Sequence, residues 1–191
     1  MRNERKTMKI LAIDTSASSI GIGIYDGEIH TKITTPDPKS HNKTLLAQID
    51  EFCKELNISL HDFDVFSVVV GPGSFTGIRI GVATINAFAM AEKKPVVEMT
   101  SLEVLAGGGD KMVLLDCKHN NYYVGIFQDD SVEYRCMKKD ETEAVLLPKE
   151  YVEGTYPEKM LLLAVKKAEA GQTVKRAKPF YIKSSSAETG E

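Results

Sequence analysis

Gly71-Pro72-Gly73-Ser74-Phe75-Thr76-Gly77-Ile78-Arg79-Ile80-Gly81 decides how this chain reads. It follows an apolar, β-branched run, Val65 to Val70, with the character of a buried strand. Gly-Pro-Gly permits a tight reversal, and Ser74 stands where the N-cap of a helix running to Ala91 would accept an amide hydrogen bond. Glycine recurs at 73, 77 and 81, and each one inside a helix costs about 1 kcal/mol against alanine. Close approach of another backbone is the usual gain that offsets such a cost.

At about 100° per residue the helix carries two apolar arcs. Gly77, Ile78, Gly81, Val82, Ile85 and Ala89 form the first, and Ile80, Ala83, Ala87, Met90 and Ala91 the second. Arg79 and Asn86 make a narrow polar wedge between them. A helix on its own sheet needs one arc. The second implies a neighbouring helix, from this chain or from a partner, so Ile80, Ala83, Ala87 and Met90, with Arg79, are candidate partner-binding residues. A doubly buried core helix is the competing reading.

Outside this stretch, 191 residues suffice for one substantial core or two small lobes. A net charge of -3 excludes a sequence-wide basic field that recruits nucleic acid. Cys53, Cys117 and Cys136 form no CxxC pair and read as reduced thiols of a cytoplasmic protein, and no membrane span or leader is expected. Residues 1–7 are polar and read as a disordered extension, 184–191 as a disordered tail.

Along the chain, Lys9–Asp14, the alternating Ile20–Tyr25 and Glu28–Thr34 read as strands, the last two joined by an Asp26-Gly27 turn. Leu45, Leu46, Ile49, Phe52, Cys53 and Leu56 share a stripe, giving an amphipathic helix over roughly 41–57; Pro95–Met99 reads as a short strand. The pattern then restarts. Val113-Leu114-Leu115-Asp116 answers Leu11-Ala12-Ile13-Asp14, and Gly125-Ile126-Phe127 answers Gly23-Ile24-Tyr25 without a gap. A third strand follows at Val132–Met137, so the two halves read as a duplication, 8–106 and 110–183, with Gly107-Gly108-Gly109 as linker. The second half is truncated: a run at Leu146–Tyr151, another at Lys159–Ala164, a helical charged segment to Gly171, and an edge strand at Lys178–Lys183.

Two hairpin-opening halves, an aspartate ending each first strand and the Gly-Pro-Gly turn together resemble the sugar kinase/Hsp70/actin superfamily, with duplicated actin-like, ribonuclease H-like α/β lobes. Within it the chain resembles the bacterial TsaB (YeaZ) family of tRNA threonylcarbamoyladenosine biosynthesis. The resemblance is carried by Ile10-Leu11-Ala12-Ile13-Asp14-Thr15-Ser16, His41 with Leu45-Leu46, the Gly71–Gly81 block and Thr100-Ser101-Leu102, and covers about the first 105 residues. It implies a non-catalytic subunit that binds TsaD, the relative that transfers the threonylcarbamoyl group. It also implies a homodimer when alone, a TsaE-like ATPase as a further partner, and only indirect contact with tRNA.

The catalytic relative carries a His-x-x-x-His metal motif where this chain has Ser101-Leu102-Glu103-Val104-Leu105, so no metal site is expected. No catalytic residue is assigned. Asp14-Thr15-Ser16, with Asp116 as its mirror, sits where kinases of the superfamily hold phosphate and Mg²⁺, and reads as a vestigial phosphate site. The glycine-rich adenosine loop is replaced by Val165–Gly171, so no cofactor is expected on this chain alone and ATP-Mg²⁺ belongs to the partner or the joint interface. A small ATPase or phosphotransferase using Asp14 and Asp116 is the alternative. Lys166-Lys167 and Lys175-Arg176 are dispersed among acidic residues and read as a solvated face.

Overall fold

The computed structural model describes residues 7–35, 45–129 and 131–182. The proposed extension (apart from Thr7), His41, Lys183 and the tail lie outside the described residues.

Strands buried on both faces form the middle of the first sheet. β1 (Ile10–Asp14) pairs antiparallel with β2 (Ile20–Tyr25), which pairs antiparallel with β3 (Ile29–Thr34). On the other side of β1 run β4 (Val65–Val69) and β5 (Val96–Met99), both parallel to it, giving the order β3-β2-β1-β4-β5. Leu11, Ile13, Ile22, Ile24, Phe66 and Val68 point to one face, where α1 (Leu45–Glu55) and α2 (Phe75–Glu92) bury their stripes. Ile10, Ala12, Val65, Val69 and Val97 point to the other, against α5 (Pro157–Glu169) and Val104 of α3 (Ser101–Ala106). Gly23 belongs to this second face; a Cβ there would lie 2.7 Å from Leu161, so glycine lets α5 seat on the sheet.

The second sheet repeats the first with one strand fewer. β6 (Lys111–Lys118), β7 (Asn121–Gln128) and β8 (Ser131–Lys138) form an antiparallel meander, and β9 (Lys149–Tyr151) runs parallel to β6, order β8-β7-β6-β9. The ungapped correspondence of the halves breaks at one point. A bulge between Asp116 and Lys118 slips the β6–β7 body by one residue, so Leu114 faces Val124 where Ala12 faces Gly23. α4 (Lys139–Glu143) is a single short turn where the first half has α1.

Four expectations need correcting. The lobe expected over 110–183 does not pack as a unit, because α5 lies on the first sheet. Leu46, expected on the buried stripe of α1, is exposed, while Gln48 is buried. Residues 178–182 form no strand; the segment after α5 is a strap that meets β5 through an isolated bridge, Val174–Val96, and the Lys178 amide on the Glu98 carboxylate. Leu146 lies outside β9 and is almost wholly exposed.

Ser74 caps α2 as the sequence suggested, its hydroxyl accepting from the Gly77 amide at 3.2 Å. The backbone that the glycines approach is the loop after β1. A Cβ on Gly77 would fall 2.0 Å from the Thr15 carbonyl oxygen, and one on Gly81 2.3 Å from Thr15 Oγ1. Thr15 Oγ1 donates to the Gly77 carbonyl at 2.7 Å, and the Ser74 amide to the Ser16 carbonyl at 2.7 Å. Gly77→Ala is therefore expected to lower stability by about 1–3 kcal/mol, despite its better helix propensity, because the clash is with backbone. Gly154→Ala, with nothing within 4 Å of the new methyl, is expected to stay within about 0.5 kcal/mol. Chemical denaturation of both variants checks this.

Candidate functional site: the outer face of α2 and the interlobe cleft

α2 separates its two arcs as buried and exposed. Ile78, Gly81, Val82, Ile85 and Ala89 are buried on the sheet. Ile80 is 50 % and Met90 79 % exposed, and Ala83, Ala87 and Ala91 are exposed with them. The helix is not doubly buried within this chain. Arg79 of the polar wedge is engaged: its guanidinium lies 3.8 Å over the Phe75 ring, and its Nε donates to Tyr181 Oη at 3.1 Å. Asn86 donates to the Ala177 carbonyl at 3.0 Å and accepts from the Ala177 amide at 2.8 Å. The wedge thus fastens the C-terminal strap along one side of α2, a role that no periodicity in the sequence announces.

Asp14, Thr15 and Ser16 lie together, and Asp116 does not join them. Asp14 is 2 % exposed, and its Oδ1 accepts from the Ser16 amide at 2.8 Å and the Ser16 hydroxyl at 2.6 Å. Thr15 Oγ1 and the Ser16 carbonyl are taken by α2, as described. Asp116 is exposed at the bulge and accepts from the Lys118 amide at 2.7 Å. The carboxylates share a local turn chemistry, each bonding an amide two residues on, and no described contact links them.

The positions of the missing imidazoles are structural. Ser101 Oγ donates to the Pro72 carbonyl at 2.8 Å, its amide donates to Gly71 O at 3.0 Å, and Leu105 is buried between α3 and the second sheet. Glu103 caps its own helix by accepting from the Thr100 amide and pairs with Lys167 at 2.7 Å. Among the described residues no group of three or more His, Cys, Asp and Glu could hold a metal ion. Cys117 is half-buried beside Cys136, and burial first, then that neighbouring thiol, push it up to about 11, far from a thiolate at neutral pH.

A cleft of about 800 Å³ opens between the carboxyl ends of β4 and β5, the second sheet and the strap. Val70, Met99 and Phe180 contribute apolar lining, with Thr100 and Tyr134 hydrogen-bonded across it at 3.2 Å. Burial, with the Glu103 charge behind it, pushes the Tyr134 phenol up to about 12 and keeps it a neutral hydroxyl. Asp14 does not line this cleft. Sequence reasoning missed the cleft because the strap and β8 that line it have no pattern that pairs them.

Burial raises Asp14 above its ordinary 3.8, only partly opposed by the Ser16 hydrogen bonds. The folded state therefore holds the proton more tightly than the unfolded chain, and the carboxylate costs stability as pH rises from 3.8 through the raised folded value. Asp14→Asn is expected to gain stability relative to the parent across that window and to keep the gain at neutral pH. Thermal melts of both proteins from acid to neutral pH check it; a difference independent of pH would be contrary.

A family model described as TsaD, tRNA N6-adenosine threonylcarbamoyltransferase, matches residues 33–187. The tRNA threonylcarbamoyladenosine biosynthesis protein TsaB of Escherichia coli K12 is 30 % identical over 149 residues, 74 % of this chain and 63 % of that protein. The Bacillus subtilis protein of the same name is 30 % identical over 127 residues, 63 % of this chain and 56 % of that one. The chain thus spans about three fifths of the length of these curated relatives. In structure it is similar to YeaZ from Pseudomonas aeruginosa, TM-score 0.75 at 20 % identity, covering 92 % of this chain and all of that one, which shows the duplicated actin-like fold. The chain belongs to the TsaD family, on its TsaB (YeaZ) branch.

Proposed function

We propose that this chain is a non-catalytic scaffold and activating subunit in the addition of a threonylcarbamoyl group to the adenosine next to the anticodon of tRNA, acting by docking a TsaD-like catalytic subunit. One observation carries the reading: α2 leaves Ile80, Ala83, Ala87 and Met90 in solvent on a helix whose opposite face is locked to its own sheet. Soluble monomers seldom expose a contiguous apolar patch without a use for it. The small residues of the arc permit close helix approach. α1 covers the same face of the sheet and presents the exposed Leu46. Two such helix pairs related by a two-fold axis form a four-helix seam, and a partner with the same fold replaces one copy. The chain is then a homodimer when alone and a heterodimer with its partner.

The chemistry belongs to the partner in this reading. Ser101 and Leu105 serve packing, and the hydroxyls and amides of the Asp14–Ser16 turn serve α2. ATP-Mg²⁺ is assigned to the partner or the joint interface, a TsaE-like ATPase to the assembled complex, and the work to the cytoplasm, where tRNA is modified; no described helix is long and apolar enough to cross a membrane. A phosphotransferase built on Asp14 and Asp116 is disfavoured by the exposed, separate position of Asp116.

Two outcomes follow. Ala87→Arg places a charge in the middle of the seam, where an unpaired buried charge is costly. It is expected to leave circular dichroism unchanged and to abolish both the dimer in light scattering and capture of the TsaD-like subunit. A folded variant that stays dimeric and captures its partner places the interface elsewhere. Isothermal titration of the chain alone with ATP-Mg²⁺ is expected to give a dissociation constant weaker than about 1 mM; a saturable micromolar isotherm lost in Asp14→Ala favours the phosphotransferase.

A further inference from the structure

Lys93 is the C-cap of α2 and Lys94 follows it, Lys167 lies in α5, and Lys175, Arg176 and Lys178 lie in the strap. In sequence the last three sit in a polar, mixed-charge half. In the fold they meet. The interlobe cleft is lined by Lys167, Lys175, Arg176 and Lys178; a second cleft beside it is lined by Met90, Lys93, Lys94 and Lys175, so Lys175 belongs to both. The two form one continuous basic ridge running from the end of the α2 outer arc into the space between the lobes.

Carboxylates claim only part of this charge. Lys167 is held by Glu103 at 2.7 Å, and Lys94 faces Asp64 at 3.9 Å. Glu98, the other acid of the cleft, accepts from the Lys178 backbone amide, a neutral donor that leaves the carboxylate's charge in the cleft. Lys93, Lys175, Arg176 and Lys178 are exposed, and no ion pair to them occurs among the described residues. A chain of net charge -3 thus gathers six cations against the three carboxylates of Asp64, Glu98 and Glu103, a local excess of positive charge. The bridge of Val174 to Val96, the Asn86–Ala177 pair and the Phe180 amide on the Val70 carbonyl at 2.8 Å fix the strap there.

We infer that this ridge is a binding surface for the phosphate backbone of RNA, by which the chain touches the tRNA directly. The inference rests on the docking role proposed above, since the ridge begins at Met90, the end of the proposed interface. An RNA backbone needs only spaced cations, with Arg176 able to engage a phosphate through two N–H groups. An acidic protein would need carboxylates placed to match. In this proposal the contact with tRNA, which the family resemblance implied to be only indirect, is direct, through cations some eighty residues apart that the fold brings together.

The test is fluorescence anisotropy of an unmodified, labelled tRNA transcript with the complex of this chain and its TsaD-like subunit, and with each protein alone, between about 50 and 200 mM salt. Two double variants are compared with the parent: Lys175→Gln with Arg176→Gln, and Lys93→Gln with Lys178→Gln. Each is expected to lower the slope of log affinity against log salt by about two while leaving capture of the partner intact. The parent chain is expected to steepen the slope of the partner alone, a readout that needs no variant. Unchanged slopes in a formed complex overturn the proposal. Lost partner capture with unchanged RNA slope for the chain alone overturns it too, and assigns the ridge to an acidic protein. If no complex forms, the docking role has failed, and the slope measured for the chain alone still decides RNA binding.

Discussion

The contact between the Thr15 carbonyl and the glycine face of α2 is the constraint on which the rest of this structure depends. Helix and loop meet at a distance that leaves no room for a methyl group at Gly77 or Gly81. Two hydrogen bonds, Thr15 Oγ1 to Gly77 O and the Ser74 amide to Ser16 O, tie the same surfaces. The glycines cost helix propensity, and the close approach offsets it.

Several consequences follow from that seat. The Gly71-Pro72 turn feeding α2 also offers its carbonyls to Ser101, so the first turn of α3 is anchored to the same point. α3 packs against the second sheet through Leu102 and Leu105, which carries the position of α2 into the other half of the molecule. The strap closes the circuit, bonding α2 through Asn86 and setting Phe180 edge-to-face with Tyr134 of β8 at 5.1 Å between centroids. A helix held this firmly from one side is free to present the other to a partner without paying to order it.

Much of this was legible in the sequence. The strands of the first half, the N-cap at Ser74, the two arcs and the close approach at 77 and 81 all follow from local rules, because there propensity, periodicity and glycine spacing agree. An aspartate ending the first strand of each half was legible, yet Asp116 is exposed at a bulge where Asp14 is buried, and the two form no joint site. The strap was misread as an edge strand. Its position depends on single bonds from Asn86, Arg79 and Val70 to residues roughly 90 to 110 positions away, and such bonds leave no period. The helix of the second half was assigned to its own lobe, whereas Leu161 meets Gly23 on the first sheet. Long-range choices of this kind are made by shape, which a pattern of hydrophobic spacing does not record.

The central claim is that the outer arc of α2, fixed from behind by the glycine seat, is where a partner docks. Hydrogen–deuterium exchange on the chain, alone at high dilution and then saturated with the TsaD-like subunit, addresses it most directly. The account predicts added protection in peptides spanning 75–92 and 45–55, with the second sheet, 111–138, unchanged. Protection confined to the second sheet, with α1 and α2 exchanging as in the free chain, would contradict it.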